Sequence, residues 1–140
     1  MAQPVRRPPI FEVCVHGQAY SAQSDNRVAL NAWKRQVSRA AVAAWGQAEP
    51  LVGAVELHIV HYGESRSGDL DNLNKPIQDA MQGVVFIDDR QVSSVRGSWR
   101  DIEGEYRARY IPAALGAAFS DGTPFVHIRA WHAITTKELD

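Results

Sequence analysis

"GDLDNLNKPIQDAMQGVVFIDDRQV", residues 68–92, compresses a helical pattern, an apolar run and five carboxylates into one short stretch. Leu70, Leu73, Ile77, Ala80, Met81 and Val84 recur at steps of 3, 4, 3, 1 and 3, the spacing of a single helical stripe. The pattern predicts a helix from near Leu70 to Gln82 that packs this stripe onto a core. Asp71, Lys75 and Asp79 stand four apart on its other side, where the lysine can reach the carboxylate one turn before it. Asp69 and Asp71 would diverge by about 200° on a helix but share a side in extended chain. They converge only if the helix begins at or after Asp71, with Asp71 as its cap. Pro76 argues for the same late start, because away from the first turn it deletes a helical hydrogen bond. After Gly83, "VVFI" reads as a short buried strand that stops at "DDR". Adjacent strand residues face opposite ways, so at most one of Asp88 and Asp89 would turn toward the other acids.

Working outward, "PIFEVCVHG" reads as a strand over Ile10–Val15, followed by a polar loop. "NRVALNAWKRQVSRAAVAAW" is the clearest helix. Val28, Leu30, Trp33, Val37, Ala40, Ala41 and Ala44 mark its apolar side, and Arg27, Lys34, Arg35 and Arg39 a basic one. Asp25 or Asn26 can cap it. "VGAVELHIVHYG" is a second strand over Val52–Tyr62, "QVSSVRGSW" resumes extended chain, "IPAALGAAF" forms a short helix and "PFVHIRAWHAI" closes with a strand. Strands mixed with two or three helices predict an α+β, mixed α/β sandwich: one domain over residues 1–140, its mixed sheet flanked by helices.

The chain has 140 residues, 45% apolar and 22% charged, which is ordinary for a globular protein and excludes disordered and collagen-like classes. No apolar run approaches the roughly 18 residues of a membrane span, and "MAQPVRRPPIFEV" lacks the apolar core of a signal peptide. The expected location is the cytoplasm, away from membranes. Cys14 is the only cysteine, expected as a buried strand thiol with no disulfide partner in the chain. The net charge of −1 hides a division. Residues 69–89 carry five acids and one base, within a mildly basic remainder, and twelve of the fifteen cations are arginines. Arginine's planar fork suits phosphate, so the composition is compatible with a polyanionic partner.

Two readings of the acidic stretch stand side by side: a solvated face with ordinary helix and turn acids, or a cation site. Clustered carboxylates repel one another unless they are protonated or bridged. With oxygen donors only, magnesium or manganese fits better than zinc. A calcium-binding helix-loop-helix starting at Asp69 fails at Leu73, Asn74 and Ala80. His16, His58, His61, His127 and His132 form no zinc pattern, and His58 and His61 fall on opposite faces of one strand. No phosphate-binding glycine loop, dinucleotide fingerprint or nucleophile elbow is present.

The same stretch resembles the core motif of the RusA-type Holliday junction resolvases. That pattern is an acidic pair as D-L-D-N, a lysine three residues after the asparagine, a D-A-L-like helix end, and an aspartate pair before Q-V. The likeness runs through Asp69, Leu70, Asp71, Asn72, Leu73, Lys75, Asp79, Ala80, Asp88, Asp89, Gln91 and Val92. It covers about 25 residues closely, with the upstream strand and helix agreeing in order and length. It implies a magnesium-dependent endonuclease, with manganese as a possible substitute, acting as a homodimer on branched DNA such as a four-way junction. By that resemblance Asp69, Asp71 and Asp89 hold the metal, Lys75 is an essential neighbour and Asp88 a supporting acid. The chain departs from the pattern in its "VHGQAYSAQSDNR" loop, which lacks the prolines usual there, and in Met81 where leucine is usual. That loop bears on the junction grip or dimer surface more than on the chemistry.

In-line phosphodiester hydrolysis needs an activated water, neutralised phosphate charge and a stabilised leaving oxygen, which bound magnesium supplies. Lys75 would contact the reacting phosphate or orient the water. Arg66, Arg90, Arg96 and Arg100, flanking the acids in sequence, and Arg27 and Arg35 on the first helix are the expected phosphate contacts. Trp99, Tyr106, Tyr110, Phe119, Phe125 and Trp131 offer apolar material for a dimer interface. The alternative is a non-catalytic branched-DNA-binding or scaffold protein of the same fold.

Overall fold

A computed structural model describes residues 7–46, 49–66, 68–103 and 113–134. Its elements are β1 (Phe11–His16), α1 (Arg27–Trp45), β2 (Val55–Gly63), α2 (Leu70–Met81), β3 (Val92–Asp101), α3 (Ala113–Asp121) and β4 (Phe125–His132). The strands form one mixed sheet in the order β1-β4-β2-β3. β4 runs antiparallel to both β1 and β2, and β2 is parallel to β3. A parallel pair needs a crossover, and α2 is that crossover.

Alternation along β2 divides the core in two. Leu57 and Ile59 join Trp33, Val37, Ile77, Met81 and Ile128 under α1 and α2. Val60 and Tyr62 point the other way, to Ala118, Phe119 and Phe125 beside α3. The sheet is therefore a layer between helices, as the element order predicted. Tyr62 stacks on Phe125 at 4.7 Å, and Phe119 meets both edge-on. Phe119 and Phe125 thus complete the core and are not free for an interface, whereas Trp99 and Trp131 stay half-buried. Tyr106 and Tyr110 lie outside the described residues.

Asn26 caps α1 by accepting from the Ala29 amide at 3.1 Å, and Gly46 closes it in the left-handed conformation. Of the expected apolar side, Leu30, Trp33, Val37 and Ala41 are buried, but Val28 and Ala44 are exposed. Both lie in the end turns of the helix. β2 begins at Val55, three residues later than expected, because Gly53 turns the chain with φ +84°. Cys14 sits in β1, as expected, but only half-buried; desolvation still pushes its thiol up to about 11.

Three expectations around α2 are corrected. The helix starts at Leu70 with Asp69, not Asp71, in the cap position. Pro76 is its seventh residue, well inside, and the carbonyl it leaves without an intrahelical donor is that of Asn72. The Ala22 amide donates to that carbonyl at 2.8 Å, so a loop distant in sequence removes the penalty that argued for a late start. "VVFI" is a tight turn, not a strand: Val84 and Val85 amides both bond Met81 O, and Gly83 N bonds Phe86 O at 2.7 Å. Val85 and Phe86 are fully buried there. A four-residue apolar run carries too little periodicity to separate a buried turn from a strand.

The sheet face away from α1 and α2 predicts an acid sensitivity. His58 accepts from Arg129 Nη2 at 2.7 Å through Nδ1. Burial, then the Arg129, Arg96, His127 and Arg100 charges, push His58 down from 6.5 to about 4. A neutral folded histidine opposes an unfolded one that gains a proton below about 6.5, so stability is full above that pH and falls as pH drops toward 4. His61 and His127 are lowered as well, mainly by burial. The urea midpoint should therefore fall between pH 7 and pH 5, and His58→Gln should shrink that fall. An equal fall in both proteins would remove His58 from the effect.

Candidate functional site

Two polar segments meet beside the edge strand β3: the exposed side of α2 and the turn that leads into β3. The turn is built first by its own side chains. Asp88 Oδ1 accepts from the Arg90 amide at 2.8 Å and caps the short 3-10 helix Asp89–Gln91. Gln91 Oε1 accepts from the Ile87 and Asp88 amides at 2.7 and 2.9 Å, while its Nε2 donates to Leu51 O and Gly53 O at 2.8 and 2.9 Å. Gln91 so satisfies four backbone groups from two loops, each worth roughly 1 kcal/mol net. Asp88 is turned outward to Arg90, whose amide and guanidinium hold its carboxyl below the usual range. Asp89, one residue on in a helical turn, faces α2.

There it meets Lys75. The ammonium donates to Asp79 Oδ1 at 2.9 Å and Asp89 Oδ2 at 3.0 Å, and those two bonds hold it charged. The lysine thus reaches forward to Asp79 and across to Asp89, not back to Asp71 as the spacing suggested. Lys34 approaches the other oxygen of Asp79 at 3.7 Å and links α1 to the same cluster. Asp71, Asn74, Lys75 and Gln78 share a cleft of about 310 Å³ with Val95 and Gly97 of β3. Asp71 sits in the first turn of α2, where the partial positive charge of the helix end favours a carboxylate.

Among the described residues no group of three histidine, cysteine or carboxylate side chains is gathered to hold a metal ion, so Asp69, Asp71 and Asp89 form no preformed cage. The donors nonetheless suit a hard cation. Asp89 Oδ1 is buried without a hydrogen-bond partner, a desolvated oxygen that a cation would compensate. Asp69 occupies the cap position yet makes no side-chain capping bond among the described residues, at the mouth of the helix.

The arginines expected on phosphate are scattered. Arg66 donates to Gly68 O at 2.9 Å and braces the approach to α2. Arg27 donates to Ala22 O at 3.4 Å, beside the loop that holds Asn72. Arg35 lies exposed on α1, and Arg90 is paired with Asp88. Arg96 and Arg100 alternate with Val95, Gly97 and Trp99, so they project from the face of the sheet opposite α2. Arg100 bonds Tyr62 Oη at 3.2 Å there. These two therefore do not flank the acidic site in space as they do in sequence.

Sequence reading missed the polar pair beneath the cleft. His61 Nε2 and Asn74 Oδ1 are 2.7 Å apart, and both residues are buried. The available signal was an asparagine set between Leu73 and Ile77 of the buried stripe, one turn from a histidine-bearing strand only in three dimensions.

No individual curated protein matches the chain significantly. A sequence profile described as Endodeoxyribonuclease RusA matches residues 13–109, from within β1 past the end of β3, and so takes in α2, Asp88, Asp89 and Gln91. With more than half of its length matched, including the whole of the acidic site, the chain belongs to the RusA family of Holliday junction-resolving endodeoxyribonucleases.

Proposed function

We propose that this nuclease depends on magnesium, or manganese in its place, and resolves four-way DNA junctions by paired nicks as a homodimer, in recombination and repair within the cytoplasm. The observation that carries the reading is Lys75: a charged ammonium held between Asp79 and Asp89, opening on the cleft shared with Asp71. Asp69, Asp71 and Asp89 would hold the cation, with Asp88 as a supporting acid that keeps the turn in shape. When bound, the cation supplies charge neutralisation at the phosphate and activation of water. Lys75 meets the phosphate or orients the attacking water, and its bond to Asp89 fixes where that carboxylate stands. Arg66, ahead of α2, Arg27, at the start of α1, and Arg35, along α1, would serve as phosphate contacts. Among the described residues no helix is long and apolar enough to cross a membrane.

A synthetic four-way junction incubated with and without magnesium tests this directly. Cleavage only with the metal, mapped to symmetric positions in two strands, supports the reading. Tight binding with no product under either condition would replace it with a branched-DNA-binding protein that has lost the chemistry.

The dimer follows from the substrate. A junction has approximate two-fold symmetry, and paired cuts need two acidic sites at a fixed separation, which a symmetric interface provides. Half-buried Trp99 and Trp131 are the described aromatics left for it. Sedimentation equilibrium should show twice the chain mass at micromolar concentration; a single-chain mass, unchanged by junction DNA, would defeat both the dimer and the paired-cut mechanism.

A further inference from the structure

His61, Asn74 and Gly97 come from β2, α2 and β3, and they interlock directly beneath the cleft. His61 is 3% and Asn74 4% exposed, and their side chains bond at 2.7 Å. Because an amide oxygen only accepts, His61 Nε2 carries the proton and donates. The asparagine's orientation is thereby fixed, and its Nδ2 is aimed at β3. At that point the strand has glycine: a Cβ on residue 97 would lie 2.4 Å from Asn74 Nδ2. Gly97 has ordinary strand geometry with no positive φ, so its lack of a side chain serves the close approach of α2.

A leucine at residue 74 could fill such a site without the desolvation cost that a buried polar pair carries. A polar pair gives instead a single allowed rotation and height for the helix. Asn74 is next to Lys75, one turn from Asp71, and lines the same cleft as both. We infer that His61 and Asn74 are positioning residues of the nuclease: their bond, seated over Gly97, sets α2 on β3 and so places Asp71 and Lys75 opposite Asp89. The inference rests on the reading above that those three residues carry the cleavage.

The test uses His61→Phe, which keeps the ring but removes the donor, and His61→Gln, which returns an N–H at similar reach. Junction cleavage at saturating magnesium gives kcat, junction binding without metal gives Kd, and amide exchange reports α2 independently of activity. In His61→Phe, kcat should fall by about 10-fold to 100-fold, the range for removing support behind a functional group, with Kd within about twofold. The Leu73, Asn74, Lys75 and Ile77 amides should exchange at least about tenfold faster while β4 amides are unchanged. His61→Gln should recover both kcat and exchange to within about threefold of the parent. Parental kcat and α2 exchange in His61→Phe would overturn the inference, and so would a glutamine variant as impaired as the phenylalanine one. If His61→Phe does not fold, Gly97→Ala, which displaces only Asn74, is held to the same values. If the parent protein itself fails to cleave, the nuclease reading falls, and the exchange comparison alone decides the positioning role by the same criteria.

Discussion

Changing Asp71 to asparagine should lower junction cleavage in magnesium by on the order of 10³-fold or more, while junction binding should stay at its original strength or tighten. The two effects have one cause. Asp71 is exposed in the first turn of α2 and lines the cleft with Lys75, so its charge faces whatever enters. Asparagine keeps the shape but removes a hard anionic ligand and, with it, a repulsion against DNA phosphate. The folded state gives up little, about 0.3–1 kcal/mol for a carboxylate at a helix N-terminus. A thermal midpoint near that of the parent, with cleavage lost and a gel-shift Kd equal or lower, is the expected combination. Near-normal cleavage by this variant would remove Asp71 from the reacting set.

Lys75→Met should reduce cleavage by roughly 10²-fold or more, the scale on which one charge-stabilising donor acts. The variant keeps most of the aliphatic stem but empties the space between Asp79 and Asp89. Asp79 retains Lys34 at 3.7 Å, whereas Asp89 loses the 3.0 Å bond to its second oxygen while its first already lacks a hydrogen-bond partner. The loss thus falls on Asp89, the acid proposed to hold the cation. Half-exposed ion pairs contribute little to stability, so unfolding should shift by no more than about 1 kcal/mol. A large fall in single-turnover rate beside a small shift in denaturant midpoint is the signature of a functional lysine. A rate change below about threefold would reduce it to an ion pair that joins α2 to the turn.

Much of this arrangement is legible in local pattern because local physics decides it. The Leu73, Ile77, Ala80 and Met81 stripe predicts both a helix and its buried side, and the capping chemistry of Asp25 or Asn26 marks the start of α1, where Asn26 is the one used. What escapes the sequence depends on partners brought by the fold. Pro76 looks like a helix breaker until the Ala22 amide is seen on the Asn72 carbonyl. That Asp89 and not Asp88 turns toward α2 follows from a capped turn, held by Gln91's bonds to Leu51 and Gly53, and strand alternation could not foresee it. Lys75 has two carboxylates within helical reach, and only the approach of Asp89 from the turn draws it forward. The His61–Asn74 pair joins residues thirteen apart through a bend that no periodicity encodes.

The position of β4 bears on how the protein is made. It is the last strand among the described residues yet stands inside the sheet, between β1 and β2. During synthesis, at about 5–20 residues per second, β1 emerges early and waits several seconds without a strand to pair with. Until residues 125–132 leave the ribosome, β1 lacks the strand it pairs with among the described residues and one side of β2 is open, two apolar strands with unmet backbone groups. A premature stop before Phe125 would remove the centre of the sheet and not its rim. The product would be an aggregation-prone fragment, and an intact acidic segment would not rescue it as a weakened nuclease.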